Sequence, residues 1–176
     1  MQRGDDDESH LCDAIHVLQP NTRQIGRSVD TPRMTLDEVI ATMYGSVSFE
    51  PGGRPAWERY LPLFAPDARL VRVNDDGVFE FTLTSFRANI EAMIDSGALP
   101  SFWEGEIGRE TRELGGIADV FSIYETRDRR GGALLGRAVK SIQLFRRNGV
   151  WQISAMLWRR ESERVRLDDL QRATHG

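Results

Sequence analysis

The most regular pattern of hydrophobic and polar positions lies near the C-terminus, where Arg137–Arg147 and Val150–Trp158 flank Asn148-Gly149. Asn-Gly between two strand-like runs is a strong hairpin signal, because both central residues of a type I′ turn take positive φ. A two-residue loop pairs Arg147 with Val150. Regular pairing then sets Phe145 against Gln152, Gln143 against Ser154, Ser141 against Met156 and Val139 against Trp158. Side chains alternate along a strand, so these positions share one face. The opposite face carries Arg146 with Trp151, Leu144 with Ile153, Ile142 with Ala155 and Lys140 with Leu157. That second face is mostly apolar and calls for a cover. The first mixes hydroxyls, amides, a thioether and an indole, which suits either a small-molecule pocket or a solvated sheet face.

Upstream, Thr35-Leu-Asp-Glu38 forms a capping box, and Leu36, Val39, Ile40, Met43, Tyr44 and Val47 continue as an apolar helical stripe. This predicts a first helix ending near Phe49. Pro55 suits the first turn of a second helix with Trp57, Tyr60, Leu61 and Phe64 as its stripe, while Pro62 predicts a bend or an early end. A strand from Ala68 to Asn74, a turn at Asp75-Asp76-Gly77 and a short strand from Val78 to Phe81 follow. Thr84 is the expected cap of a third helix, with Phe86, Ile90, Met93 and Ile94 on one face and Gly97 as its stop. Gly115-Gly116 splits two further strands, Phe102 to Leu114 and Ile117 to Thr126. Helices followed by a long antiparallel meander read as α+β. Residues 1–33 read as a mobile N-terminal arm, with Leu11, Ile15 and Leu18 spaced for a short docking helix. Residues 34–160 form the domain, and 161–176 a polar segment read as a frayed final helix.

Composition narrows the function classes. No run approaches the ~18 apolar residues of a membrane span, and the acidic N-terminus is unlike a signal peptide, so a cytoplasmic location and no membrane partner are expected. The single cysteine, Cys12, excludes an internal disulfide and a cysteine-rich zinc site. The three histidines are His10, His16 and His175, so no histidine base, triad or His-rich metal site is expected within the domain. A net charge of −4 without a long basic run gives no reason to expect nucleic acid. Neither a cofactor nor a metal is expected.

Three stretches carry a resemblance: Trp57-Glu-Arg-Tyr-Leu-Pro-Leu-Phe-Ala-Pro-Asp-Ala-Arg-Leu-Val71, Ile117-Ala-Asp-Val-Phe-Ser-Ile-Tyr-Glu125, and Ser141-Ile-Gln-Leu through Trp158. In these the chain resembles the nuclear transport factor 2-like superfamily and, within it, the SnoaL-like group of polyketide cyclase relatives. The resemblance implies a cone-shaped curved antiparallel sheet with three helices enclosing a pocket. It implies that Trp158 lines the pocket, that Ser141 stands where steroid isomerase relatives keep an acidic oxyanion donor, and that Tyr44 aligns with their tyrosine donor. The mixed hairpin face then becomes the pocket face, with Ser141, Gln143, Met156 and Trp158 as binding residues. The apolar face (Trp151, Ile153, Leu157, Ile142, Leu144) becomes the contact of a homodimer through the outer sheet face.

The same alignment removes the familiar mechanism. The position of the isomerase general base is Arg72, and a guanidinium is no base near neutral pH. Arg72 is instead expected to attract a carboxylate, phosphate or enolate, unless a neighbouring acid pairs with it. Tyr44, Tyr124 and Ser141 are candidates to orient a carbonyl or hydroxyl. Glu106 is the first choice for an acid or base, with Glu104 beside it on the same face, although a solvated strand edge is the favoured reading of the pair. Two readings stay open. One is a cofactor-free isomerase, dehydratase or cyclase working by proton transfer on a small oxygenated organic molecule. The other is a non-catalytic ligand-binding or dimerisation module.

Overall fold

The computed structural model describes residues 33–168. The expected arm, its docking helix, His10 and His16 lie outside these residues, as does the C-terminus beyond Asp168. Helix α1, Leu36–Val47, starts as its capping box dictates. The Thr35 hydroxyl accepts from the Glu38 amide at 3.2 Å, and the Glu38 carboxylate accepts from the Thr35 amide at 2.7 Å. Its stripe of Leu36, Val39, Ile40, Met43, Tyr44 and Val47 is buried. Helix α2, Trp57–Tyr60, tightens into a 3-10 turn, Leu61–Leu63, at Pro62, the early end expected of a residue without an N–H.

Strand β1, Phe64–Asn74, therefore begins earlier than expected. After β2, Gly77–Phe81, helix α3 spans Leu83–Asp95. Its cap is Thr82 rather than Thr84. The Thr82 and Ser85 side chains exchange hydrogen bonds with each other's backbone amides, and Thr84 falls inside the first turn. Strands β3, Trp103–Leu114, β4, Ile117–Arg127, β5, Leu134–Arg147, and β6, Val150–Arg160, form the meander. Asn148 and Gly149 adopt φ of 53° and 81°, the primed-turn geometry. Glu161 to Arg166 is not helical. No helix among the described residues is long and apolar enough to cross a membrane.

The sheet order is β2-β1-β6-β5-β4-β3. All pairs are antiparallel except β1 with β6, which run parallel, so the sheet is mixed rather than wholly antiparallel. The meander returns its last strand beside the first and in the same direction. One face of the sheet is covered by the helices. Ala118, Val120, Ser122 and Tyr124 of β4, and Ala138, Lys140, Ile142 and Leu144 of β5, point into that interior.

The hairpin departs from regular pairing at one point. Arg147↔Val150 through Leu144↔Ile153 follow the two-residue turn, but Gln143 then pairs with Ala155. Ser154 is the extra residue of a β-bulge, and its hydroxyl donates to the Gln143 carbonyl at 3.1 Å. Beyond it every partner shifts by one. Met156 faces Ile142, and Trp158 faces Lys140 instead of Val139. Trp151, Ile153, Met156 and Trp158 thus all reach the helix-covered side. Ser141, paired with the exposed Leu157, and Gln143 lie on the outer face.

For β5, and for β6 before the bulge, this reverses the expected sorting of the faces assigned to pocket and dimer, while Met156, Leu157 and Trp158 keep their expected sides. The proposed dimer patch is mostly internal: Ile142, Leu144, Trp151 and Ile153 are buried in the core, and of those five residues only Leu157 remains exposed. A decisive pair of variants follows. Ile153→Asp places a carboxylate at a position with no solvent contact and should abolish cooperative urea unfolding. Leu157→Asp, at 43% exposure, should change stability by no more than about 0.5 kcal/mol. Tolerance of the first and failure of the second would restore the original face assignment.

Candidate functional site

One row of cross-strand partners organises the interior. From the β2 edge to the β3 edge it reads Phe79, Arg72, Trp158, Lys140, Ser122 and Arg109, one residue from each strand. Directly paired residues project to the same side of a sheet. The row therefore delivers a guanidinium, an indole and an ammonium to the helix-covered face. Helix α3 lies against β1 and β2 and adds Phe86, Asn89, Ile90 and Met93. Together with Val47, Tyr60, Phe81 and Phe102 they enclose a cavity of about 370 Å³, into which Arg72, Glu104, Tyr124, Lys140, Met156 and Trp158 also project. Phe81 stacks on Trp158 at 6.1 Å and Phe86 meets it edge-on at 5.9 Å, which fixes the indole in the wall.

Lys140 is the most unusual group here. It is 5% exposed, and its ammonium bonds the Glu104 carboxylate. The rings of Tyr44 and Tyr124 flank the charge at 4.3 and 4.1 Å from their centroids. Such contacts replace part of the lost hydration. Glu104 is held in turn by its own backbone, whose amide donates to the Ser48 hydroxyl just past α1 at 3.0 Å. Burial drives the Lys140 amine below the ordinary lysine range, with the Glu104 carboxylate opposing that shift. Burial likewise raises the Tyr44, Tyr60 and Tyr124 phenols, which remain protonated donors at neutral pH.

Arg72 sits differently. Its guanidinium carbon lies 4.6 Å from the Phe79 ring centroid and 5.7 Å from that of Phe81. Its Nε is buried without a hydrogen-bond partner, and among the described residues no acid pairs with it. The alternative of a surface arginine neutralised by a neighbouring acid finds no such acid among the described residues. An unpaired guanidinium stacked on aromatic rings beside a cavity is suited to an anionic or carbonyl oxygen.

The fold can now be placed among known structures. No protein-family model matches the chain, and no curated protein matches its sequence. Solved structures do match. A protein of unknown function with a cystatin-like fold from Nostoc punctiforme superposes with a TM-score of 0.56 at 18% identity, over 74% of this chain and 96% of that one. The chain has a cystatin-like fold. Hexachlorocyclohexane dehydrochlorinase LinA-type3 from Novosphingobium barchaimii matches at 0.55 and 13% identity, over 72% and 84% of the two chains. The yeast UBP3-associated protein BRE5 matches at 0.53 and 12%, over 74% and 99%. Identities this low establish the shared fold only, and the fold serves enzymes and proteins of unknown function alike.

Within this cystatin-like fold the expected residues divide. Arg72, Tyr124, Met156 and Trp158 line the cavity. Ser141 and Gln143 lie on the outer sheet face. Glu106 and Tyr44 stand behind the cavity wall. Ser122 donates to the Glu106 carboxylate, and the Tyr44 hydroxyl meets the Ser122 hydroxyl at 2.8 Å. Glu106 also lies 3.7 Å from Arg109, which bonds Asp37 of α1 at 2.7 Å. The carboxylate that reaches the cavity is Glu104. Sequence reasoning missed Lys140 because regular pairing set it on the apolar face that was sent outward. A signal was nevertheless present: among 23 lysines and arginines, Lys140 is the sole lysine. Among the described residues no cluster of three His, Cys, Asp or Glu side chains could hold a metal ion.

The ion pair makes a thermodynamic prediction. Lys140→Met leaves the Glu104 carboxylate buried and alone, and Glu104→Gln leaves the ammonium alone. Each should lose about 3–5 kcal/mol in urea unfolding. The double variant should recover most of that loss, because replacing both partners of a buried pair is often close to neutral. Additive losses would show that the two side chains do not act as a pair.

Proposed function

We propose that this protein binds a small oxygenated organic molecule in the cavity and acts on it without a cofactor, by proton transfer of the isomerisation, dehydration or cyclisation type. The observation that carries this reading is the Lys140–Glu104 pair in the wall of an otherwise largely apolar cavity. Two groups able to exchange a proton stand side by side, shielded from water, and burial lowers the proton affinity of the amine. Arg72 serves as the anchor for an oxyanion or carboxylate of the ligand. Tyr124 offers a phenol donor and Trp158 a flat apolar wall. The cavity volume falls within the range of roughly 300–1,000 Å³ usual for small-molecule sites. Glu106 and Ser122 act from behind, holding the Tyr44 ring against the ammonium. The SnoaL-like resemblance of the sequence supports this reading, as does the occurrence of a dehydrochlorinase on the same fold.

The test is a thermal-shift screen of small aromatic and alicyclic ketones, enones, lactones and carboxylates, followed by NMR of each binder for exchange or conversion. Arg72→Ala should weaken binding of a carboxylate-bearing hit by about tenfold or more. Glu104→Gln should abolish deuterium exchange into a bound ketone while leaving it bound. Compounds that bind but neither exchange nor convert would leave a ligand-binding module. Absence of any binder would end the pocket reading.

A further inference from the structure

We infer that Lys140 is a covalent site, whose amine forms a reversible imine with an aldehyde or ketone held in the cavity. The inference rests on the pocket reading above and narrows its substrate class to carbonyl compounds. Three independent observations converge on it. The first is chemical selection. Of the 23 lysines and arginines of the chain, all except Lys140 are arginines. A buried cation facing a carboxylate is ordinarily well served by arginine, whose fork binds carboxylates bidentately. What arginine cannot supply is a primary amine that gives up its proton and becomes a nucleophile. The second is access. Lys140 is 5% exposed, yet its side chain lines the cavity, so a bound ligand can reach the nitrogen while bulk water has little contact with it. The third is the surrounding shell. Glu104 bonds the ammonium, and the Tyr44 and Tyr124 rings flank it.

The chemistry balances within that shell. Glu104 accepts a proton from the ammonium, and the freed nitrogen lone pair attacks the carbonyl carbon. The C–N bond forms as the carbonyl π pair moves to oxygen, which takes up a proton from nitrogen to give a carbinolamine. Glu104 then protonates the hydroxyl, water leaves, and the nitrogen lone pair closes the C=N bond. The product is a protonated imine beside a regenerated carboxylate. The charge of the buried pair is unchanged, so the same carboxylate and rings that hold the ammonium suit the adduct.

Having a single lysine makes the test clean. Native protein is incubated at neutral pH with benzaldehyde or 4-carboxybenzaldehyde and sodium cyanoborohydride, then digested and mapped by mass spectrometry. The expected result is one reduced adduct on the peptide containing Lys140, formed several-fold faster than at the same lysine in urea-unfolded chain. The 4-carboxy compound should react faster than benzaldehyde, and Arg72→Ala should remove that advantage. Lys140→Arg should show no adduct on this peptide. Labelling of the unfolded chain but not of the native protein would overturn the inference, as would adducts confined to the α-amino group. Thermal shifts by the aldehydes and by benzyl alcohol and 4-(hydroxymethyl)benzoate alike, with no adduct, would overturn the imine while leaving the pocket reading intact. No shift and no adduct would overturn both.

Discussion

An extra residue in β6 sets the relation between the core and the cavity. A strand presents alternate side chains to opposite faces, so Trp151 and Ile153 cannot share a side with Met156 and Trp158 by regular alternation. The former pair is needed at the turn end of the hairpin, where it fills the core. The latter is needed at the other end, where it meets the cavity. Ser154 reconciles the two demands by adding one position to β6, and its hydroxyl bonds the Gln143 carbonyl at the irregularity. Without that insertion, either the core or the cavity wall would lose its side chains to solvent.

The cavity in turn depends on a pair of charges that the fold surrounds with compensation. An isolated ammonium in such a place would be driven to release its proton. Here a carboxylate and two tyrosine faces share the charge, and the tyrosines are fixed by the buried Tyr44–Ser122 contact and the packing of α1 against β3 and the core. Arg72 provides a contrast on the same row. Its charge is stacked on Phe79 and Phe81 but has no counter-ion among the described residues. On this row Lys140 has a carboxylate partner and Arg72, among the described residues, has none; the two are separated by the Trp158 strand, and a polar ligand would be oriented along that gradient.

Much of the fold was legible in the sequence because local signals there were strong and consistent. Capping at Thr35, the break at Pro62 and the Asn148-Gly149 turn each rest on interactions among a few neighbouring residues. The Thr84 assignment erred by two positions because Thr82, Thr84 and Ser85 all carry hydroxyls, and only the end of β2 decides which one stands first. The site was half legible. Trp158, Met156, Tyr124 and Arg72 line the cavity, while Ser141 and Gln143 lie on the outer face, Glu104 was named only as the neighbour of Glu106, and Lys140 was passed over. The cause is the bulge, which arises from what β6 packs against at each end and leaves no strong mark in Gln-Ile-Ser-Ala. Composition held the compensating clue, since Lys140 is the single lysine of an arginine-using chain.

The strand order carries a consequence for how the site comes into being. β6 is the last strand made, yet it lies in the middle of the sheet, hydrogen-bonded to β1 on one side and β5 on the other. Until it inserts, Arg72 belongs to a β1–β2 ribbon and Lys140 to a separate β3–β4–β5 meander, with no ladder joining them. Chain synthesis must therefore pass residue Arg160 before the two cations can be brought onto one row. Closure of the sheet and creation of the cavity are the same event, and it is the most non-local step the topology requires.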